Sequence, residues 1–224
     1  MRRMTNPRLL LALALFAALP VSAQDYKAEA VNGPPDVPQS IQGTLQLQGA
    51  RLLNGQNAIA EVWLAKAVTG QPNAGSMDII YGDVTPGSFV GVVHFPNAGA
   101  DFRGQIIKSG YYTLRYDLIP QDGNHLGVSQ YRDFLLLVPV AQDSDPAKTL
   151  KFEDVVKLSR EASGTGHPSI LSLDPVEGAP AQFPGALKDY SDNWALVART
   201  QVKAEGGEAK DLPMAIVLVG KYEG

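Results

Sequence analysis

Residues 101–139, DFRGQIIKSGYYTLRYDLIPQDGNHLGVSQYRDFLLLVP, read as three strands joined by one tight turn and one long polar loop. Tyr112, Leu114, Tyr116 and Leu118 fall on one face of a strand with period two, and Tyr111, Thr113, Arg115 and Asp117 on the other. After Arg132-Asp133, the run Phe134-Leu135-Leu136-Leu137-Val138 is apolar on both parities and stops at Pro139. That is the pattern of a central strand covered on both sides.

Working outward, strands are expected at 41–49, 58–68, 78–82, 88–95, 102–108, 111–118, 132–138, 168–173, 192–202 and 212–219, most of them separated by Gly, Pro or Asn turn signals. Between 140 and 167 the rhythm breaks. A polar loop there leads into Phe152, Val155 and Val156, spaced as on a short amphipathic helix that ends near Gly164. With 45% hydrophobic residues, 22 Gly and 16 Pro, the chain predicts an all-β fold, an antiparallel immunoglobulin-like β-sandwich with one short helical insertion. Gly110-Tyr111-Tyr112-Thr113-Leu114 has the spacing of the tyrosine corner of such sandwiches, in which the Tyr hydroxyl bonds back to upstream backbone.

The same stretch carries G-x-Y-x-L-R-Y at Gly110 to Tyr116, D-G-x-H at Asp122 to His125 and R-D-F-L-L-L-x-P at Arg132 to Pro139. In these it resembles a group of uncharacterised secreted bacterial proteins of β-sandwich type, from about Ile59 to Gly220. The resemblance implies a fold and a compartment and carries no activity with it.

Arg2, Arg3 and Arg8 precede the apolar run Leu9 to Leu19, and Val21-Ser22-Ala23 supplies small residues where a signal peptidase reads. Residues 1–23 are therefore expected to be a signal peptide cleaved after Ala23, which gives a secreted or periplasmic protein with no membrane span left. Residues 24–40, with Pro34, Pro35 and Pro38, read as an extended leader, and 41–224 as one domain with its helical insertion at about 140–167. Cleavage removes three arginines and no acid, leaving 16 bases against 23 acids, a formal charge of −7. That balance argues against nucleic acid as a partner, because phosphate binding needs clustered Lys and Arg. The absence of cysteine excludes disulfides, thiolate zinc sites and a cysteine nucleophile.

No catalytic motif of known mechanics occurs, so a non-enzymatic binding or structural module of the cell envelope is expected, with no cofactor and with a protein, small molecule or glycan as partner. If consecutive strands alternate in direction, the loops around 96–101 and 119–131 share one end of the domain. His94, Asp101, Asp122 and His125 would then meet there and offer ligands to a divalent metal such as zinc or copper, the alternative reading being a metal-binding protein or a metal-dependent enzyme with a loop-built site. The ordinary alternative is that His94 is a strand residue beside Val92 and that His125 sits on a solvated turn. Arg103, Arg115 and Arg132, near Asp117 and Asp133, read as an Arg–Asp network, or as a source of one guanidinium free to bind an anionic ligand. Tyr26, Tyr81, Tyr131 and Tyr190, at strand ends or in loops, are the rings available to a carbohydrate-binding module.

Overall fold

Apolar side chains on both parities bury a strand from two sides, and the chain has enough such strands to build one large sheet with a covered outer face. The structure is a computed structural model that describes residues 25–73, 75–121, 131–179 and 181–220. In chain order the elements are β1 (Tyr26–Asn32), α1 (Gln39–Gln42), β2 (Gln48–Asn54), β3 (Asn57–Leu64), β4 (Val68–Gly70), β5 (Phe89–Phe95), β6 (Gly99–Ala100) and β7 (Ile106–Ile107). They continue with β8 (Gly110–Leu118), β9 (Asp133–Pro139), α2 (Phe152–Ser163), β10 (Ile170–Asp174), β11 (Gly185–Lys188), β12 (Trp194–Ala204) and β13 (Lys210–Val219).

The fold is all-β. The hydrogen-bonded order is β1-β2-β3-β5-β8-β9-β10-β13-β12-β11, with β4 added in parallel to β12 and every other pair antiparallel. The sheet curls until its two edges approach: Tyr26, on β1, lies 5.4 Å from Trp194, which opens β12 beside β11. Inside the curl, Leu52, Val62, Val93, Leu114, Leu135, Leu171, Leu196 and Ile216 form one core. β9 shows the two-sided pattern read from its sequence. Leu135 and Leu137 face this core, while Phe134, Leu136 and Val138 face outward beneath Val155 of α2. Each such side chain contributes about 1.5–3 kcal/mol on full burial, so the outer cluster is what holds the helix to the sheet. Gly164, left-handed at φ +67°, ends α2.

At the entry to β8, the Tyr112 hydroxyl donates to the Lys108 carbonyl at 2.8 Å, the bond expected of a tyrosine corner. Four expectations need correction. Residues 41–49 are not a strand, because Gln39–Gln42 forms α1 and β2 begins only at Gln48. The leader is not a tether throughout, because Tyr26–Asn32 pairs with β2 over its whole length and Val37 is buried in the core. Residues 78–82 form no strand; the Ile80 and Tyr81 amides are held by a carboxylate instead. Residues 102–108 do not cross the sheet either. Only Ile106–Ile107 is extended, in a small hairpin with β6, and β5 pairs directly with β8, Phe95 opposite Gly110.

Gly87 lies at a crossing of backbones. Its N–H donates to the Tyr116 carbonyl, its own carbonyl accepts from the Leu150 N–H, and its φ is +79°. A Cβ there would lie 1.8 Å from the Leu150 carbonyl oxygen. Gly87→Ala is therefore expected to cost at least about 3 kcal/mol in a denaturant melt, through strain and a backbone clash together. A loss below about 1 kcal/mol would show that the 140–150 segment is not seated as described.

Candidate functional site

The three arginines expected as ligand candidates are all engaged, each for a local reason. Arg115 points outward from β8 but is 0% exposed, because residues 143–148 pass over it. Its Nε donates to Asp143 Oδ2 at 2.7 Å and its Nη2 to Asp143 Oδ1 at 2.6 Å, a two-pronged pair. The remaining donors reach the carbonyls of Gly87, Lys148 and Asp145, and the Phe89 ring lies 5.6 Å from the guanidinium. Arg115 therefore cannot bind an exogenous anion without unfolding the loop. Arg103 donates to the Pro168 carbonyl at 2.7 Å, and Arg132 to the Ile119 carbonyl at 3.0 Å with Asp78 3.8 Å away. All three act as fasteners between segments, and Arg115, fully buried, is thereby removed as a free anion-binding guanidinium.

The acids of the network divide. Asp133, fully buried, accepts from the Ile80 and Tyr81 amides at 2.8 Å each and from the Tyr116 hydroxyl at 2.7 Å. Tyr81 in turn donates to the Asp174 carbonyl and accepts from the Ala215 N–H. Burial pushes both phenols above their ordinary range, with the Asp133 charge adding to it. Asp117 has no arginine partner. Burial pushes its carboxyl up to about 6, with Glu153 of α2 adding to the effect and the Leu118 N–H opposing it.

The metal set does not assemble from its described members. Because β5 pairs directly with β8, His94 stands opposite Tyr111 near the Gly110 end, whereas Leu118 and Asp133 flank the 119–131 loop at the other end. Seven residues of β8 separate the two ends, about 23 Å at ~3.3 Å per residue. Asp122 and His125 themselves lie outside the described residues. His94 shares a hydrogen bond of 3.0 Å with Glu61 and stacks on Tyr111 at 4.1 Å, as one member of a row that runs on through Arg51 to Glu29 across β5, β3, β2 and β1. Asp101 is also taken: its carboxylate accepts from the Arg103 and Gln105 amides and from the Gln105 side chain, closing its own turn. Among the described residues, no group of three or more metal-ligating side chains gathers.

Two open clefts of similar size adjoin these segments: one of about 450 Å³ beside Asp143, Asp145, Lys148 and Lys157, and one of about 500 Å³ lined by Tyr131, Asp174, Pro175, Glu177, Leu187, Lys188, Asp189 and Tyr190 among others; the second carries the tyrosines. This second cleft forms where the chain leaves β10 and later turns from β11 into β12. Asp189 organises the second wall by accepting from the Ser191 and Asn193 amides and the Asn193 side chain, which leaves its charge beside the cleft. Lys188 is drawn away to Asp192 at 2.7 Å. The Asp174 carboxylate has no hydrogen-bond partner among the described residues, and burial, then the charge of Asp189, push it up to about 6. Tyr131 and Tyr190 were legible as available rings. Asp174, Glu177 and Asp189 carried no sequence signal, since isolated acids in loops are indistinguishable from solvated ones until the loops meet.

Comparison with family models, with curated proteins and with solved structures gives no match.

Asp117 gives a pH test. The folded chain holds this proton up to about pH 6, while the unfolded chain releases it near 4, so the contribution of Asp117 to stability falls as pH rises across that window. Above it the ionised carboxylate is a standing cost. Asp117→Asn can still accept from the Leu118 N–H, and it is expected to stabilise the protein by about 1–3 kcal/mol at pH 7.5, with the gain fading towards pH 4. Denaturant melts at the two pH values check this; an equal effect at both would remove the ionisation argument.

Proposed function

We propose that the chain is an exported, non-enzymatic binding module of the cell envelope that takes its ligand in the cleft between Asp174 and Asp189. The observation that carries this reading is that the cleft combines open volume with a carboxylate that has no hydrogen-bond partner among the described residues. Arg103, Arg115, Arg132, His94 and Asp101 are each engaged by internal bonds, while the cleft offers two tyrosines and the Asp174 carboxylate. Its volume of about 500 Å³ suits a small ligand or one unit of a larger one. Export is supported by the basic and apolar leader through Ala23 and by the resemblance to secreted bacterial proteins. The finer fold reading, an immunoglobulin-like sandwich, rests on the Tyr112 corner; the continuous ladder from β1 to β11 weighs against two separate sheets.

A carbohydrate-binding role is the second reading, favoured because Tyr131 and Tyr190 line the same cleft. A metal-dependent role through His94, Asp101, Asp122 and His125 ranks below both, because His94 and Asp101 are already bonded within the fold.

The test is equilibrium binding by the mature protein to a panel of oligosaccharides, organic amines and short peptides, run beside a Tyr131→Ala, Tyr190→Ala double variant. At least one class is expected to bind and to lose tenfold or more in affinity in the variant. Binding that the variant leaves intact, or no binding across the panel, would contradict the proposal. An unchanged melting temperature in chelator is expected alongside.

A further inference from the structure

Within the binding reading above, on which this step rests, the cleft's charge and surface narrow the ligand. Three carboxylates line it, Asp174, Glu177 and Asp189, against one amine, Lys188. That amine is already neutralised by Asp192 and lies 6.0 Å over the Trp194 ring. Among the described residues the local charge is therefore net negative. Asp189 spends both oxygens on the 189–193 turn, so its charge is felt but its lone pairs are largely committed. Asp174 is the reverse case, half-buried and unpaired, a carboxylate that gains from any cation placed beside it.

A hard divalent ion is a poor fit, since it needs six or more oxygens at short range and the cleft lining includes Pro175, Leu187 and Tyr131. A neutral sugar would satisfy the rings but leave the charge uncompensated. Aromatic faces combined with free carboxylates suit a cation that carries its own carbon surface, because the ring quadrupole and the carboxylate then act on the same group.

We propose that this cleft binds a small organic cation, an alkylamine or quaternary ammonium group, with Asp174 as its counter-ion and Tyr131 as its aromatic wall, while Tyr190 stands fully exposed at the rim. Glu177, at the exposed rim, contributes attraction at longer range, and Lys188 stays on Asp192 when the ligand enters.

The experiment is isothermal titration of the mature protein with choline and putrescine, beside 3,3-dimethylbutan-1-ol, the neutral isostere of choline, and cellobiose. At least one of the cations is expected to bind, with the alcohol at least tenfold weaker. Asp174→Asn is expected to reduce cation affinity at least tenfold, and Tyr131→Ala by about two- to fivefold. Melting temperatures of both variants no lower than that of the unsubstituted protein would exclude misfolding as the cause. Equal binding of the alcohol, or cellobiose binding that Asp174→Asn does not alter, would overturn the cation assignment while the binding role of the cleft stands. Failure of both cations below about 10 mM would also overturn it. If the cations and every oligosaccharide and peptide of the wider panel fail as well, the binding role falls with it.

Discussion

The bond between Arg115 and Asp143 is the constraint on which the outer half of the molecule depends. A guanidinium taken fully out of water costs several kcal/mol, and that cost is met only when a carboxylate and enough carbonyls stand in fixed positions around it. Here Asp143 receives two of its donors and Thr113 as a third, while Gly87, Asp145 and Lys148 supply the remaining acceptors. All but Gly87 and Thr113 lie between 143 and 148, so satisfying one strand residue fixes the path of a whole loop. Once that loop is fixed, the chain enters α2 over β9 and β10, and Val155 meets Leu136 and Ile170. The pair's value lies in selecting this arrangement over others; a well-packed apolar substitute of equal volume can match such pairs in stability.

Asp133 applies the same logic at the other end of β9. A buried carboxylate has to find donors, and it finds them in two consecutive amides of a segment with no ladder of its own and in one tyrosine hydroxyl. Asp101 does likewise for the turn that joins β6 to β7. The buried Arg115–Asp143 pair, Asp133 and Asp101 thus hold irregular segments in place. The Asp174 carboxylate differs from them in having no hydrogen-bond partner among the described residues.

Legibility from the sequence followed packing. The two parities of β8 and the double-sided run of β9 could be read because burial on one or two faces leaves a periodic trace, and the same holds for α2 with Phe152, Val155 and Val156. The tyrosine corner could be read because its bond is local. β1 was hidden because an edge strand of the form Tyr-Lys-Ala-Glu-Ala-Val-Asn buries little, so its pattern resembles a linker. The expected strand at 102–108 rested on a short apolar pair, Ile106-Ile107, and that single extra crossing reversed which loops share an end. It placed His94 with the 119–131 loop when the register places it beside Gly110. The partner of Arg115 lay 28 residues away in a polar loop, and the cleft is assembled from three separate loops, so neither left a pattern at any period.

Amide hydrogen exchange on the intact protein tests most directly the claim that Arg115, Asp133 and Asp143 are internal fasteners. The Leu150 amide, bonded to Gly87 beneath the Arg115 network, and the Ile80 and Tyr81 amides, bonded to Asp133, belong to irregular segments. The account predicts that they exchange as slowly as the amides of β8 and β9, through global unfolding, whereas the Tyr190 amide at the rim of the cleft exchanges fast. Rapid exchange at Leu150, Ile80 and Tyr81 while β8 stays protected would contradict it, because those loops would then open independently of the sheet.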